Sequence, residues 1–253
     1  MIDDLELAER AARAAGDALM AWFGRAPEGL ASKTSVTDPV SDADREAERL
    51  LRELLLRERP DYGFVGEEGT NSPAANNRTW IVDPLDGTVN FLYGFRNWAV
   101  SIALEDSDGL ALGVVFNPVD DELFSARRGE GATLNGQPIR VTACSTLERA
   151  MVATGFSYEA PRRAEQAELL VQLLPRIRDI RRAGAAALDL AYVAAGRVDA
   201  FYERGLKPWD EAAGILLVRE AGGVVDELPG ESPTRVAAAT EDLLVALSPV
   251  IRG

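Results

Sequence analysis

The chain has 253 residues, 47% hydrophobic and 27% charged, the composition of a soluble globular protein long enough for one large domain or two intimate halves. It contains no histidine, which excludes Ser-His-Asp and Cys-His catalysis and every His-ligated metal site. One cysteine, Cys144, excludes an internal disulfide, and a net charge of −14 without a basic run argues against nucleic acid as a partner.

The N-terminal segment is acidic where a signal peptide is basic. Its Leu5, Ala8, Ala12, Ala15, Leu19 and Trp22 recur at helical spacing, so it reads as an amphipathic helix on a core. A polar loop follows. A second helix is expected from Ser41 to Arg57, with Ala47, Leu50, Leu51, Leu54 and Leu55 on one face and Pro60 beyond its end. After a loop at 71–79, strands are expected at 79–83, 99–105, 111–118 and 122–127. The second half reads as a strand at 151–155, a helix at 162–174, a strand at 176–182 and a helix at 185–195 stopped by Gly196. A strand at 198–203, a helix at 208–220 and a last strand at 222–227 close the pattern. The change of rhythm near 140–150 places a boundary there, giving an α+β half (1–145) and an α/β half (146–253). No apolar run approaches the roughly 18 residues of a membrane span. The expectation is a cytoplasmic protein.

The stretch WIVDPLDGTVNF, from Trp80 to Phe91, holds the chemistry. Asp83 closes an apolar strand, so its carboxylate emerges where α/β ligand sites lie. Pro84 stiffens the turn that brings Asp86 back beside it. Gly87 allows close backbone approach, and Thr88 offers a hydroxyl and an N–H. Carboxylates this close raise one another's pKa unless a cation lies between them, and Mg²⁺ prefers such oxygen ligands. Turn formation alone accounts for Asp, Pro and Gly singly but not for the whole motif. Further acids are candidates: Glu67 and Glu68 in FVGEEG, Asp44 in DPVSDAD, and Asp210 in KPWDEAAG. Each has an ordinary explanation: a solvated loop, a capping box with Ser41, and a first-turn acid, respectively.

Taken together, DPVSDAD, GEE, WIVDPLDGTVNF and KPWDEAAG resemble the inositol monophosphatase family of Mg²⁺-dependent, lithium-sensitive phosphatases. The stretch from Arg181 to Asp210 is similar to the bacterial inositol-1-monophosphatases. The resemblance implies the layered α-β-α-β-α sandwich of the inositol monophosphatase and fructose-1,6-bisphosphatase type, usually a homodimer. It implies two to three Mg²⁺ ions on Glu67, Asp83, the Leu85 carbonyl, Asp86 and Asp210. Thr88, bonded to Asp44, would orient and deprotonate the attacking water, and the backbone N–H groups of Gly87 and Thr88 would hold the phosphate. Glu203 and the backbone at Ala186 match positions that meet the substrate's hydroxyls. Ala185 departs from the family, which commonly has Ser or Thr there. Lys207 stands either at the substrate or on the surface, and Lys33 aligns with a lysine near the mobile metal loop. Cys144 is taken as structural and Trp209 as core packing.

The substrate implied is inositol 1-phosphate, a small phosphorylated polyol. Histidinol phosphate, fructose 1,6-bisphosphate and 3′-phosphoadenosine 5′-phosphate are alternatives on the same metal core. A two-carboxylate glycosidase is a rival of another class, but its acids stand at least about 5 Å apart to flank a sugar. An additional non-catalytic interaction role is the third reading.

Overall fold

The structure is a computed structural model that describes residues 2–24, 31–32, 39–40, 42–230 and 232–252. Lys33 and Ser41 lie outside the described residues, and with them the lysine contact and the Ser41 capping box. The elements in order are α1 (Asp4–Met20), β1 (Ala31–Ser32), β2 (Pro39–Val40), α2 (Asp42–Glu58), β3 (Gly63–Gly66), β4 (Asn71–Ser72), β5 (Thr79–Asp86) and α3 (Thr88–Leu92). There follow β6 (Ala99–Asp106), β7 (Gly109–Asn117), β8 (Glu122–Arg127), β9 (Gly131–Leu134), β10 (Gln137–Pro138), β11 (Met151–Thr154), α4 (Ala160–Leu173) and β12 (Asp179–Arg181). The chain closes with α5 (Ala186–Ala194), β13 (Ala200–Arg204), α6 (Pro208–Glu220), β14 (Val224–Leu228), β15 (Thr234–Ala238) and α7 (Glu241–Arg252). The sequence reading ends one strand and one helix too early: β15 and α7 follow the strand it places last. It also lacks the short strands β1, β2, β3, β4, β9 and β10.

Eight strands form one sheet in the order β10-β9-β8-β7-β6-β5-β3-β4, antiparallel except where β3 runs parallel to β5. Five form a second, β12-β11-β13-β15-β14, with the first three parallel. Side-chain alternation along the strands divides the core. Trp80, Val82, Val100, Ile102 and Leu104 face α1 and α2, meeting Leu7, Ala8, Leu51 and Leu55. Ile81, Ala99, Ala103 and Val115 face the other way, into a layer made by α5 and α6. That layer also covers Ala153, Phe201 and Ala237 of the smaller sheet. The smaller sheet's far face, Val152, Ala200, Val236 and Ala238, is closed by Leu173 of α4 and Leu243 and Leu247 of α7. The layers are therefore α-β-α-β-α, and the middle one belongs to both sheets. No described helix is long and apolar enough to cross a membrane.

Small residues let the middle layer sit close. A Cβ on Gly113 of β7 would lie 2.7 Å from the Ala213 carbonyl oxygen of α6, and one on Gly214 would lie 2.5 Å from Leu190 Cβ of α5. The α5–α6 pair carries Asp210 and the N-terminus that meets Asp86, so its spacing sets the site. Gly214→Ala must push the helices apart. It is expected to lower unfolding free energy by about 1–3 kcal/mol in a urea titration, as overpacking does; an unchanged midpoint would show that α5 and α6 yield freely.

Candidate active site

β5 delivers Asp83, buried, at the point where its pairing with β6 slips between Asp83 and Asp86. The slip lets the chain turn so that both aspartates reach one side. The turn is tied by Leu85 N–H donating to Asp83 Oδ1 at 2.9 Å. Gly87 takes φ +88°, and a Cβ there would stand 2.9 Å from the Asn97 carbonyl oxygen, so the glycine is required by both conformation and space. Thr88 opens α3. Its Oγ1 lies 3.1 Å from Asp44 Oδ1 and 3.1 Å from the Leu85 carbonyl oxygen. Asp44 is fully buried in the first turn of α2, and the structure gives its carboxylate a partner on α3 across the core.

Glu67 stands on the loop after β3, within hydrogen-bond reach of Asp83. That loop is shaped from below by Glu48 of α2, whose buried carboxylate accepts the N–H groups of Glu68 at 2.8 Å and Thr70 at 3.1 Å. Gly66 leaves room for it; a Cβ there would meet Glu48 Oε2 at 2.3 Å. From the second half, α5 points its N-terminus at Asp86, with Ala186 N–H donating to Oδ1 at 3.2 Å and Ala187 N–H to Oδ2 at 2.7 Å. The sequence reading gives the Ala186 backbone to substrate hydroxyls; here its N–H is committed to Asp86. Asp210, in the first turn of α6, accepts Lys207 N–H at 2.7 Å. The Lys207 side chain is exposed, and Trp209 packs half-buried against the middle layer. Glu203, one residue from the end of β13, stands near Asp210 with its carboxyl lying over Gly155.

Like charges in a desolvated place are costly. Burial, then Glu67, Asp86 and Asp210, hold Asp83 well above its ordinary value. Burial pushes Asp86 to about 7 against the helping N–H groups of α5, and Asp210 to about 8. Glu203 is raised by burial to about 7, with Arg182 pulling the other way. Five acids from four segments thus converge, a donor set that suits a hard divalent cation. Among the described residues, no three acids stand in ligating geometry around one point.

A family model described as "Inositol monophosphatase family" matches residues 3–250. The chain belongs to the inositol monophosphatase family. It is 45% identical over 246 residues to an inositol-1-monophosphatase of Rhizobium meliloti, covering 94% of this chain and 92% of that one. It is 46% identical over 229 residues to a Nus factor SuhB of Xylella fastidiosa, covering 90% and 82%. Among solved structures, the extragenic suppressor protein suhB from Bartonella henselae superposes with a TM-score of 0.90 at 40% identity, covering 97% of each chain. The Thermotoga maritima IMPase gives 0.88 at 33%, covering 99% of each.

Three residues that sequence reasoning missed build the site of this inositol monophosphatase family member. Glu48 shapes the Glu67 loop. Asn90 of α3 donates through Nδ2 to the carbonyls of Asn97 (2.6 Å) and Ala183 (2.7 Å), tying the Thr88 helix to the segment that leads into α5. Asp189 of α5 is buried with neither oxygen hydrogen-bonded, and burial, then Glu203 and Asp86, hold it well above its ordinary value. Its signal was present, an acid one turn into an otherwise apolar helix, but helical spacing alone does not say which neighbours it meets.

These shifts fix a pH dependence. Folded and metal-free, the acids keep protons that the unfolded chain releases near 3.8, so folding binds protons and stability falls as pH rises to about 8. Each carboxyl still protonated costs about 1.4 kcal/mol per pH unit in that window. The metal-free protein should melt at a lower temperature at about pH 8 than at about pH 5.5, and magnesium should recover most of the loss. Melting that rises with pH, or magnesium without effect at the upper value, would contradict the shared acidic cluster.

Proposed function

We propose that the chain is a magnesium-dependent phosphomonoesterase that hydrolyses inositol 1-phosphate to inositol and phosphate. The observation that carries this reading is the convergence of buried Asp83 and Asp86 with half-buried Asp210 and Glu67 beside the Thr88–Asp44 pair. Glu67, Asp83, the Leu85 carbonyl, Asp86 and Asp210 would hold two to three Mg²⁺ ions. When bound, magnesium supplies positive charge for a dianionic phosphate and makes water more acidic. Thr88 Oγ1 holds the attacking water, accepting its proton as the hydroxyl proton passes to Asp44 Oδ1. The N–H groups of Gly87 and Thr88 steady the phosphate oxygens, and Glu203 faces the alcohol, with Lys207 at the rim. Water attacks phosphorus directly, so neither Thr88 nor Asp44 becomes phosphorylated. Homodimer formation, inhibition by lithium and a cytoplasmic location belong to the same proposal through the resemblance. Relatives named inositol-1-monophosphatase and Nus factor SuhB lie at equal distance, so a role beside hydrolysis is the second reading.

The cation-binding acids meet only the phosphate and cannot tell one ester from another. Discrimination falls to Glu203, because a carboxylate accepting a substrate hydroxyl contributes about 1.5–3 kcal/mol. Glu203→Gln is expected to lower kcat/KM about tenfold or more for inositol 1-phosphate and much less for p-nitrophenyl phosphate. Equal losses on both esters would assign Glu203 to the cation site or the fold. Across wild-type kcat/KM values for inositol 1-phosphate, histidinol phosphate, fructose 1,6-bisphosphate and 3′-phosphoadenosine 5′-phosphate, the first should lead. A preference for a non-polyol ester would remove inositol phosphate as the substrate.

A further inference from the structure

The parallel strands β11, β12 and β13 send their C-terminal ends toward Glu203 and the site. Their N-terminal ends open on a separate cavity of about 280 Å³, lined by Thr142, Cys144, Ser145, Thr146, Arg149 and Arg178. Arg178 stands just before β12 and Arg149 two residues before β11. The Arg178 N–H donates to the Ala150 carbonyl at 2.9 Å, which holds the two arginines' backbones side by side. Nearby arginines have carboxylate partners: Arg181 pairs with Asp179 at 2.6 Å and Arg197 with Glu122. Among the described residues neither Arg149 nor Arg178 has an ion pair or a side-chain hydrogen bond, although the protein is strongly acidic.

The acid in the wall, Asp199, is already engaged. Its Oδ1 accepts the Thr142 hydroxyl at 2.6 Å and its Oδ2 the Met151 N–H at 2.8 Å, so it serves the framework rather than the arginines. Two guanidinium groups with five donors each, in a cavity rimmed by the hydroxyls of Ser145 and Thr146, match an oxyanion, since guanidinium forks fit phosphate geometry. We propose that this cavity is a second anion site that takes inorganic phosphate, or the phosphate group of a small ester, on Arg149 and Arg178. It is independent of the catalytic reading, because it lies at the opposite end of the smaller sheet and shares no residue with the acidic cluster.

Cys144 lines the cavity and is the chain's one cysteine, so its alkylation reports on this place alone. A bound dianion both covers the thiol and disfavours the reactive thiolate. The experiment follows alkylation by iodoacetamide in full-length, chelator-treated protein, with phosphate exchanged for chloride at constant ionic strength. Inositol 1-phosphate in a second arm separates an ester's phosphate from the free ion. Alkylation should slow saturably, by at least about threefold, with half-saturation at least about tenfold weaker in Arg149→Gln and protection lost in Arg149→Ala/Arg178→Ala. Hydrolysis of p-nitrophenyl phosphate with magnesium should stay near wild type in these variants, which certifies their fold. Alkylation indifferent to both anions, or equal protection in wild type and Arg149→Gln, would overturn the proposal.

Discussion

Asp83→Asn is expected to lower kcat at saturating magnesium by more than about a hundredfold, the upper range for disturbing even an outer partner of a metal site. Asp83 is buried, ends β5, lies within hydrogen-bond reach of Glu67, and is raised by Glu67, Asp86 and Asp210 together. Buried at the strand end among those three acids, it would be the ligand on which cation binding most depends, and its loss should exceed that from Asn at 86 or 210. Asp86→Asn carries a second effect, because Asp86 also accepts both leading N–H groups of α5; melting curves separate the two. In the metal-free protein near neutral pH Asp83→Asn should instead stabilise, since it removes a buried acid that folding forces to hold a proton. Near wild-type turnover by Asp83→Asn would end the two-ion assignment.

Thr88→Ala and Asp44→Asn should each lower kcat by about 10²–10⁴-fold, the range for a positioned proton acceptor. The hydroxyl and the carboxylate lie 3.1 Å apart in a buried place and act on one proton in series. The double variant should therefore be little worse than either single one, as for residues that work as a unit. Losses that multiply would mean that Asp44 and Thr88 serve separate steps. Rapid-quench mass spectrometry on wild type should find no phosphothreonine or phosphoaspartate; trapping either would replace direct attack by water with a covalent route.

Where the sequence was legible, one local rule decided the outcome. The 3.6-residue rhythm of Leu5, Ala8, Ala12, Ala15, Leu19 and Trp22 places α1 on the sheet without knowledge of the sheet, and Ala8, Ala12, Ala15 and Leu19 are buried there. Apolar runs bounded by Gly, Pro and Asp gave β5 to β8, continuous rather than alternating because those strands are buried on both faces by different helices. The DPLDGT turn was readable because its residues are adjacent, so proximity followed from spacing. The convergence of Asp44 and Asp210 upon it was carried only by the family resemblance. What was missed is non-local. Asp189 faces Glu203 and Asp86 only once α5 packs against α6, and Glu48 reads as one more charged residue on an exposed-looking helix. α7 has a local signal, with Leu243, Leu244, Leu247 and Val250 at helical spacing and the Thr240 hydroxyl accepting Leu243 N–H at 3.2 Å. Pro249 within that short segment disguises it.

The most direct measurement is phosphate release from inositol 1-phosphate by metal-stripped protein, followed as magnesium is added back. Hydrolysis should be undetectable without the ion, rise to saturation with it, vanish again with chelator, and stay more than about a hundredfold lower at every magnesium concentration in Asp83→Asn. Phosphate release that survives chelation, or none at any magnesium concentration in wild type, would contradict a magnesium-dependent inositol phosphatase at this site.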